Sequence, residues 1–138
     1  MRTWTEYGYG YPLFNGSNLP NIVRFIVENN EGRYSGETIQ NMYEATDEFK
    51  LYDYTEDPVP WVVAETINNL EGTTVFRGYQ DDGDTNQESM IGIEPCYPWT
   101  MNSNDPKTKE EANALLNKYA KILGITETPS DFTAEYFG

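Results

Sequence analysis

The stretch Tyr79 to Glu88, YQDDGDTNQE, crowds three aspartates, an asparagine and a glutamate around one glycine. Oxygen donors packed this densely are what a hard cation such as calcium needs. An EF-hand loop supplies ligands from positions 1, 3 and 5, turns on a glycine at 6 and closes with a bidentate glutamate at 12. Counted from Asp82, Asp84 and Asn86 suit the early positions, but Gln87 stands where the glycine belongs and Ile93 where the glutamate belongs. The flanks read as strands, not helices, and Asp82-Gly83 is hairpin-turn chemistry. The stretch therefore reads as a solvated hairpin loop, with weak calcium binding by Asp82, Asp84, Asn86 and Glu88 as the alternative. No cofactor or resident metal is expected.

Other chemistry is constrained by what the chain lacks. It has no histidine, which removes the usual general base at neutral pH and every nucleophile arrangement built on Ser-His or Cys-His pairs. Cys96 is the only cysteine, too few for an internal disulfide or a thiolate zinc site, and in IEPCYPW its acidic neighbour Glu94 disfavours a thiolate. Nothing resembles a phosphate-cradling GxxxxGK[ST] loop. Glycoside hydrolysis needs only two carboxylates and aromatic platforms for sugar, and the chain has both. With 23 acids some pair at a suitable distance is nearly inevitable, so a carboxylate-based glycoside hydrolase stays an alternative and a non-enzymatic protein is the expectation.

The more informative acids lie between Glu37 and Asp57. Seven of them, Glu37, Glu44, Asp47, Glu48, Asp53, Glu56 and Asp57, face the single base Lys50. On a helix, Glu37, Glu44 and Glu48 share one side, roughly opposite Ile39 and Met42. Glu44 and Glu48 at i, i+4 repel by a few tenths of a kcal/mol, a cost that one lysine would remove. Tyr43, Phe49, Tyr52 and Tyr54 interleave with the acids, and tyrosine gives large contact area at low entropic cost in interfaces. Asp81, Asp82 and Asp84 form a second acidic focus. These acids, with Tyr52 and Tyr54, are the candidate partner-binding residues; a solvated helix face serving solubility is the bland alternative.

Whole-chain charge points the same way. Nine Lys+Arg against 23 Asp+Glu give a net charge of −14, which repels nucleic-acid backbones and anionic lipid surfaces and speeds encounter with basic partners. Direct nucleic-acid binding and membrane binding are thus excluded as expectations. A basic protein surface fits, most concretely the nucleic-acid channel of a nuclease or similar enzyme, blocked by carboxylates standing where phosphates would. That is the manner of a nucleic-acid mimic of the anti-defence type carried by phages and mobile elements.

Placing these residues falls to a single acidic α+β domain spanning residues 1–138, a length that can bury roughly two thirds of its unfolded surface. Aromatics make up 14% of residues, more large rings than a disordered chain carries. Apolar runs such as IVRFIV fall well short of the ~20 residues of a membrane span, and MRTWTEYGYGY has no signal-peptide core, so a cytoplasmic protein is expected.

TEYGYGYPL spaces Tyr7, Tyr9 and Tyr11 at the strand period, all on one face, with Pro12 at its end or on an edge. Asn18 as N-cap and Pro20 in the first turn open a helix to about Glu28, with Leu19, Ile22, Val23, Ile26 and Val27 as its apolar stripe. A second helix runs from about Ser35 to Lys50. A third opens at Asp57-Pro58, carries Trp61, Val63, Ala64, Ile67 and Leu70, and ends at Gly72.

TTVFRGYQ and ESMIGIEP read as a hairpin around the acidic stretch. Asp105-Pro106 and the box Thr108 to Glu111 open a fourth helix, with Ala112, Leu115, Leu116, Tyr119, Ile122 and Leu123 inward and Gly124 beyond its end. The aromatic tail after Thr128 is expected to pack back on the domain. The order β-α-α-α-β-β-α predicts a small antiparallel sheet of about three strands with about four helices packed on it, the first strand beside the hairpin.

Overall fold

The computed structural model describes residues 3–47, 59–80, 89–94 and 102–137. The Tyr-Gly alternation forms strand β1 (Thr3–Pro12). Three helices follow, α1 (Leu19–Asn29), α2 (Gly36–Asp47) and α3 (Val59–Glu71), then the strands β2 (Phe76–Gln80) and β3 (Ser89–Ile93), α4 (Lys109–Leu123) and β4 (Ser130–Phe137). The α+β class and the order through α4 are as the sequence predicts. The sheet has four strands rather than three, because the aromatic tail is itself a strand.

Every neighbouring pair in the sheet, ordered β2-β3-β1-β4, is antiparallel. β2 and β3 form the predicted hairpin, from Phe76 opposite Ile93 to Gln80 opposite Ser89. β1 lies beside β3, with Tyr11 opposite Ile91, and its other side takes β4 from Thr3 opposite Phe137 to Gly10 opposite Ser130.

Alternation along the strands separates two faces. One carries Phe76 and Gly78, Ile91 and Ile93, and the three tyrosines of β1, and on it the helices pack. Tyr11 is buried and donates its hydroxyl to the Leu116 carbonyl at 2.7 Å; Tyr9, half-buried, donates to Asn113 Oδ1, also at 2.7 Å. Two residues one helical turn apart on α4 are thus pinned to alternate residues of β1. Tyr7, next on that face, is 64% exposed, so β1 runs out from under the helices towards Thr3. All three rings share a face as expected, but only one end of the strand is covered.

At the hairpin, α3 comes against the sheet backbone to backbone. A Cβ added at Gly78 would stand 2.3 Å from the Pro60 carbonyl carbon, so no other residue fits there without moving α3. α1 bridges α3 and α4, and Phe25, buried, meets the Tyr119 ring edge-on at 5.8 Å. α2 packs on α1 and α3 through Ile39, which is fully buried. Burying one such side chain contributes about 1.5–3 kcal/mol, several times the repulsion between neighbouring acids on a helix.

The opposite face holds a different solution. The inner strands carry Gly8, Gly10 and Gly92 there, all buried, and rings from the two edge strands lie across them. Phe132 of β4 covers Gly8 and Gly92 so closely that a Cβ would sit 2.5 Å and 2.8 Å from its ring. Tyr79 of β2, 1% exposed, meets that ring edge-on at 5.0 Å.

Some positions depart from the apolar periodicity. Trp61 and Leu70 of α3 are 51% and 50% exposed and Ile122 of α4 is 43% exposed, while Val62, Thr66 and Ala120 take buried places. Phe25 joins Ile22 and Ile26 as the buried positions of α1. Among the described residues no helix is long and apolar enough to cross a membrane.

Replacing Gly78 by alanine forces overlap with the α3 backbone and is expected to destabilise by about 1–3 kcal/mol, read as a lower urea midpoint at unchanged slope. Gly36→Ala is the contrasting control. Its Cβ would meet only Val23 Cγ1 at an ordinary 3.5 Å, so the exchange should be neutral or raise the midpoint.

Candidate functional site

The acids of α2 are positioned from its first turn. Ser35 caps the helix: its Oγ accepts from the Thr38 amide at 3.1 Å, and its carbonyl accepts from the Ile39 amide at 3.2 Å. Glu37 lies in that first turn, exposed, where the positive end of the helix dipole favours it. Glu44 sits seven residues on, two turns later at nearly the same angle around the axis and opposite buried Ile39. Asp47 is the last described residue of α2, and the described part of the helix carries no base. Glu48, Tyr52, Asp53, Tyr54, Glu56 and Asp57 lie outside the described residues, as do Asp81, Asp82 and Asp84 of the second focus.

Although those residues are not described, the points from which both acidic segments spring are. The 48–58 segment leads into Val59 and Pro60, and Pro60 lies against Gly78. The 81–88 segment leaves Gln80 and rejoins at Ser89, its partner in the ladder, only two residues along β2 from Gly78. The close approach of α3 to β2 thus brings one root of each acidic segment to the same corner of the molecule.

Bases are gathered elsewhere. Lys107, Lys109, Lys118 and Lys121, four of the nine, lie on α4 or just before it. Lys109 Nζ stands 5.0 Å from the centre of the Tyr9 ring, Lys107 Nζ donates to the Ser103 carbonyl at 3.1 Å, and Lys118 Nζ donates to Glu71 at 2.6 Å. The other ion pairs among the described residues join Arg33 to Glu65 at 3.7 Å and Arg77 to Glu94. Both are largely solvent-exposed pairs of the kind worth at most about 1 kcal/mol.

The most structured polar cluster is Glu71 with Lys118 and Tyr119. The Tyr119 hydroxyl donates to the same Glu71 oxygen as Lys118, at 2.7 Å. Hydrogen bonds from Lys118 and Tyr119 hold the Glu71 carboxyl below the usual range, while burial and the neighbouring carboxylate push the Tyr119 phenol well above its ordinary value. Both groups therefore stay in their ordinary neutral-pH forms, carboxylate and phenol, and the cluster ties the end of α3 to α4 rather than exchanging protons.

Buried polar side chains act as brackets. Asp105, 2% exposed, accepts from the Thr74 amide at 2.8 Å, the Thr74 hydroxyl at 2.7 Å and the Asn102 amide at 2.8 Å, fastening the loop before α4 to the approach of β2. Asn18 makes no side-chain cap to α1. Its amide nitrogen instead donates to the carbonyls of Leu13 at 2.7 Å and Leu123 at 2.9 Å, joining the exit of β1 to the end of α4. Asn68 shapes the α3–β2 turn, accepting from the Phe76 amide and donating to its carbonyl. Only the turn-forming habit of Asn and Asp hinted at these roles, since Leu123 lies far in sequence from Asn18 and Thr74 from Asp105.

Among the described residues no group of three His, Cys, Asp or Glu side chains is placed to hold a metal ion, and the calcium alternative falls on residues outside them. Comparison with protein-family models, with curated proteins and with solved structures finds no match.

Stability should fall at both ends of the pH scale. Burial also pushes the Tyr11 phenol well up, so Tyr11 and Tyr119 keep their protons when folded after an unfolded tyrosine, near 10.0, has lost its own. Their contribution is intact below that pH and lost above it. Glu71, held low when folded, contributes above the ordinary carboxylate range, and its share disappears as acid protonates it. Urea midpoints across pH check this: Tyr119→Phe should flatten part of the alkaline fall, and Glu71→Gln part of the acid one.

Proposed function

We propose that this protein is an acidic binding module that acts by occupying a basic surface of a partner protein, most concretely the nucleic-acid channel of a nuclease or similar enzyme. Its carboxylates stand in for phosphates. The observation that carries the reading is the net charge of −14, combined with a single base, Lys50, among the seven acids from Glu37 to Asp57. The described part of α2 carries no base, and such a field repels polyanions while steering a cationic surface.

Two features support the contact set. Glu37 and Glu44 occupy one side of α2, opposite the residue that anchors it. The segments carrying Glu48, Tyr52, Asp53, Tyr54, Glu56 and Asp57, and Asp81, Asp82 and Asp84, are rooted at one corner, which favours one composite surface over two unrelated ones. Action by binding rather than catalysis, in a cytoplasmic setting, remains part of this proposal, as does the anti-defence role.

Affinity capture from an extract of the native host provides the test. A basic nucleic-acid-binding protein should be retained at about 0.1 M salt, where charges act over ~10 Å, and released near 1 M, where they act over ~3 Å. Added DNA should compete for it. The triple variant Glu44→Lys, Asp47→Lys, Glu48→Lys should lose it while unfolding at the same urea midpoint to within about 0.5 kcal/mol, as surface exchanges do. Retention that ignores salt, DNA and the charge reversal would remove the basis of this reading.

A further inference from the structure

Among the described residues β4 is the last strand of the sheet on its side, paired with β1 along its whole length, and no described strand lies along its other edge. At eight residues it is the longer of the two sheet edges, since β2 at the far side has five. Natural edges are usually blunted by proline, lysine, a bulge or a covering segment. Within SDFTAEYF there is neither proline nor lysine, and the register with β1 is unbroken from Thr3 to Gly10. Apart from that ladder, no backbone group of Ser130 to Phe137 has a hydrogen-bond partner among the described residues. Among the described residues the row of outward N–H and C=O groups is open.

The side chains beside this edge select what could join it. Asp131 and Thr133 are exposed on the face where β1 has run out from under the helices, and no base occurs from Glu127 onward. Tyr7, one strand inward and opposite Thr133, offers its ring on the same face with 64% of its surface exposed. A carboxylate beside an accessible aromatic suits a cation on a flexible stem, and Lys109 over the neighbouring Tyr9 ring shows a cation on an aromatic within the chain.

A second copy fits poorly. Two β4 strands paired antiparallel about Thr133 would set Asp131 directly opposite Glu135 at both ends, and like charges in facing positions weaken a ladder.

We propose that the outer edge of β4 is a docking edge that takes an extended, lysine- or arginine-bearing segment of the partner protein as a fifth strand. Main-chain hydrogen bonds would supply affinity and the alternating cations specificity, as in strand addition generally. The cationic character of the partner rests on the function proposed above; the open edge does not.

The probe is a synthetic peptide of about ten residues, a full strand length, alternating lysine with threonine or valine. It should bind and slow amide hydrogen exchange along Ser130 to Phe137. An analogue of identical sequence and charge, N-methylated at alternate amides, cannot form the ladder and should bind about tenfold or more weakly. Asp131→Lys with Glu135→Lys should weaken the unmodified peptide comparably, whereas the α2 triple variant should leave its binding in place. Equal binding of both peptides, protection located elsewhere, or sedimentation showing the protein already dimeric through β4 would each overturn the proposal. Host-partner capture that persists while the peptide fails would refute the docking edge alone.

Discussion

The backbone of α3 touches the backbone of β2 at Gly78, and most of the arrangement that matters for recognition depends on that contact. Helices ordinarily ride on a sheet at a distance set by side chains from both layers. Here one side chain is missing, so Pro60 reaches the strand itself. The consequence is positional: the acidic segment before α3 and the acidic hairpin segment start from neighbouring points. Two charge clusters separated in sequence become candidates for one surface because a single residue lacks a Cβ.

Energy is distributed in keeping with this division of labour. Apolar side chains from all four helices and three of the strands, among them Ile22, Ile39, Ile67, Ile91 and Leu116, make a shared core. Amide and carboxylate brackets at Asn18, Asn68 and Asp105 close the connections around it without burying an unpartnered polar atom among the described residues. With the core and its seams secured in this way, the described part of α2 can carry its acids without a base of its own. A loss of a few tenths of a kcal/mol is tolerable next to the burial of Ile39.

How far the sequence disclosed this can be judged residue by residue. The helical period located every described helix, with the Thr108 cap marking the start of α4, and the strand period located β1 and the hairpin, because those signals are local. β4 was read only as a tail that packs back: its acids and alanine dilute the strand signal, and its partner lies at the other end of the chain. Trp61 and Leu70 satisfied a helical pattern yet face outward, since periodicity reports that a helix has an apolar side and not where its neighbours stop. The buried Asn18 looked like a helix cap because a cap and a long-range bracket begin with the same residue type. Of the candidate site, composition disclosed the charge and helix geometry the alignment of Glu37 with Glu44. The common root of the two acidic segments could not be read, because it depends on a tertiary contact at Gly78.

The pairing of Thr3 with Phe137 has a bearing on biosynthesis. β1 is translated early and sits in the middle of the finished sheet, yet the strand that completes one of its sides leaves the ribosome only after everything between them. During elongation the nascent chain must carry β1 with that flank unsatisfied, and the glycine floor at Gly8 stays uncovered until Phe132 arrives. Final closure of the sheet is consequently a late, chain-spanning step, and nascent chains stalled before β4 would expose the very strand most prone to pair with its neighbours.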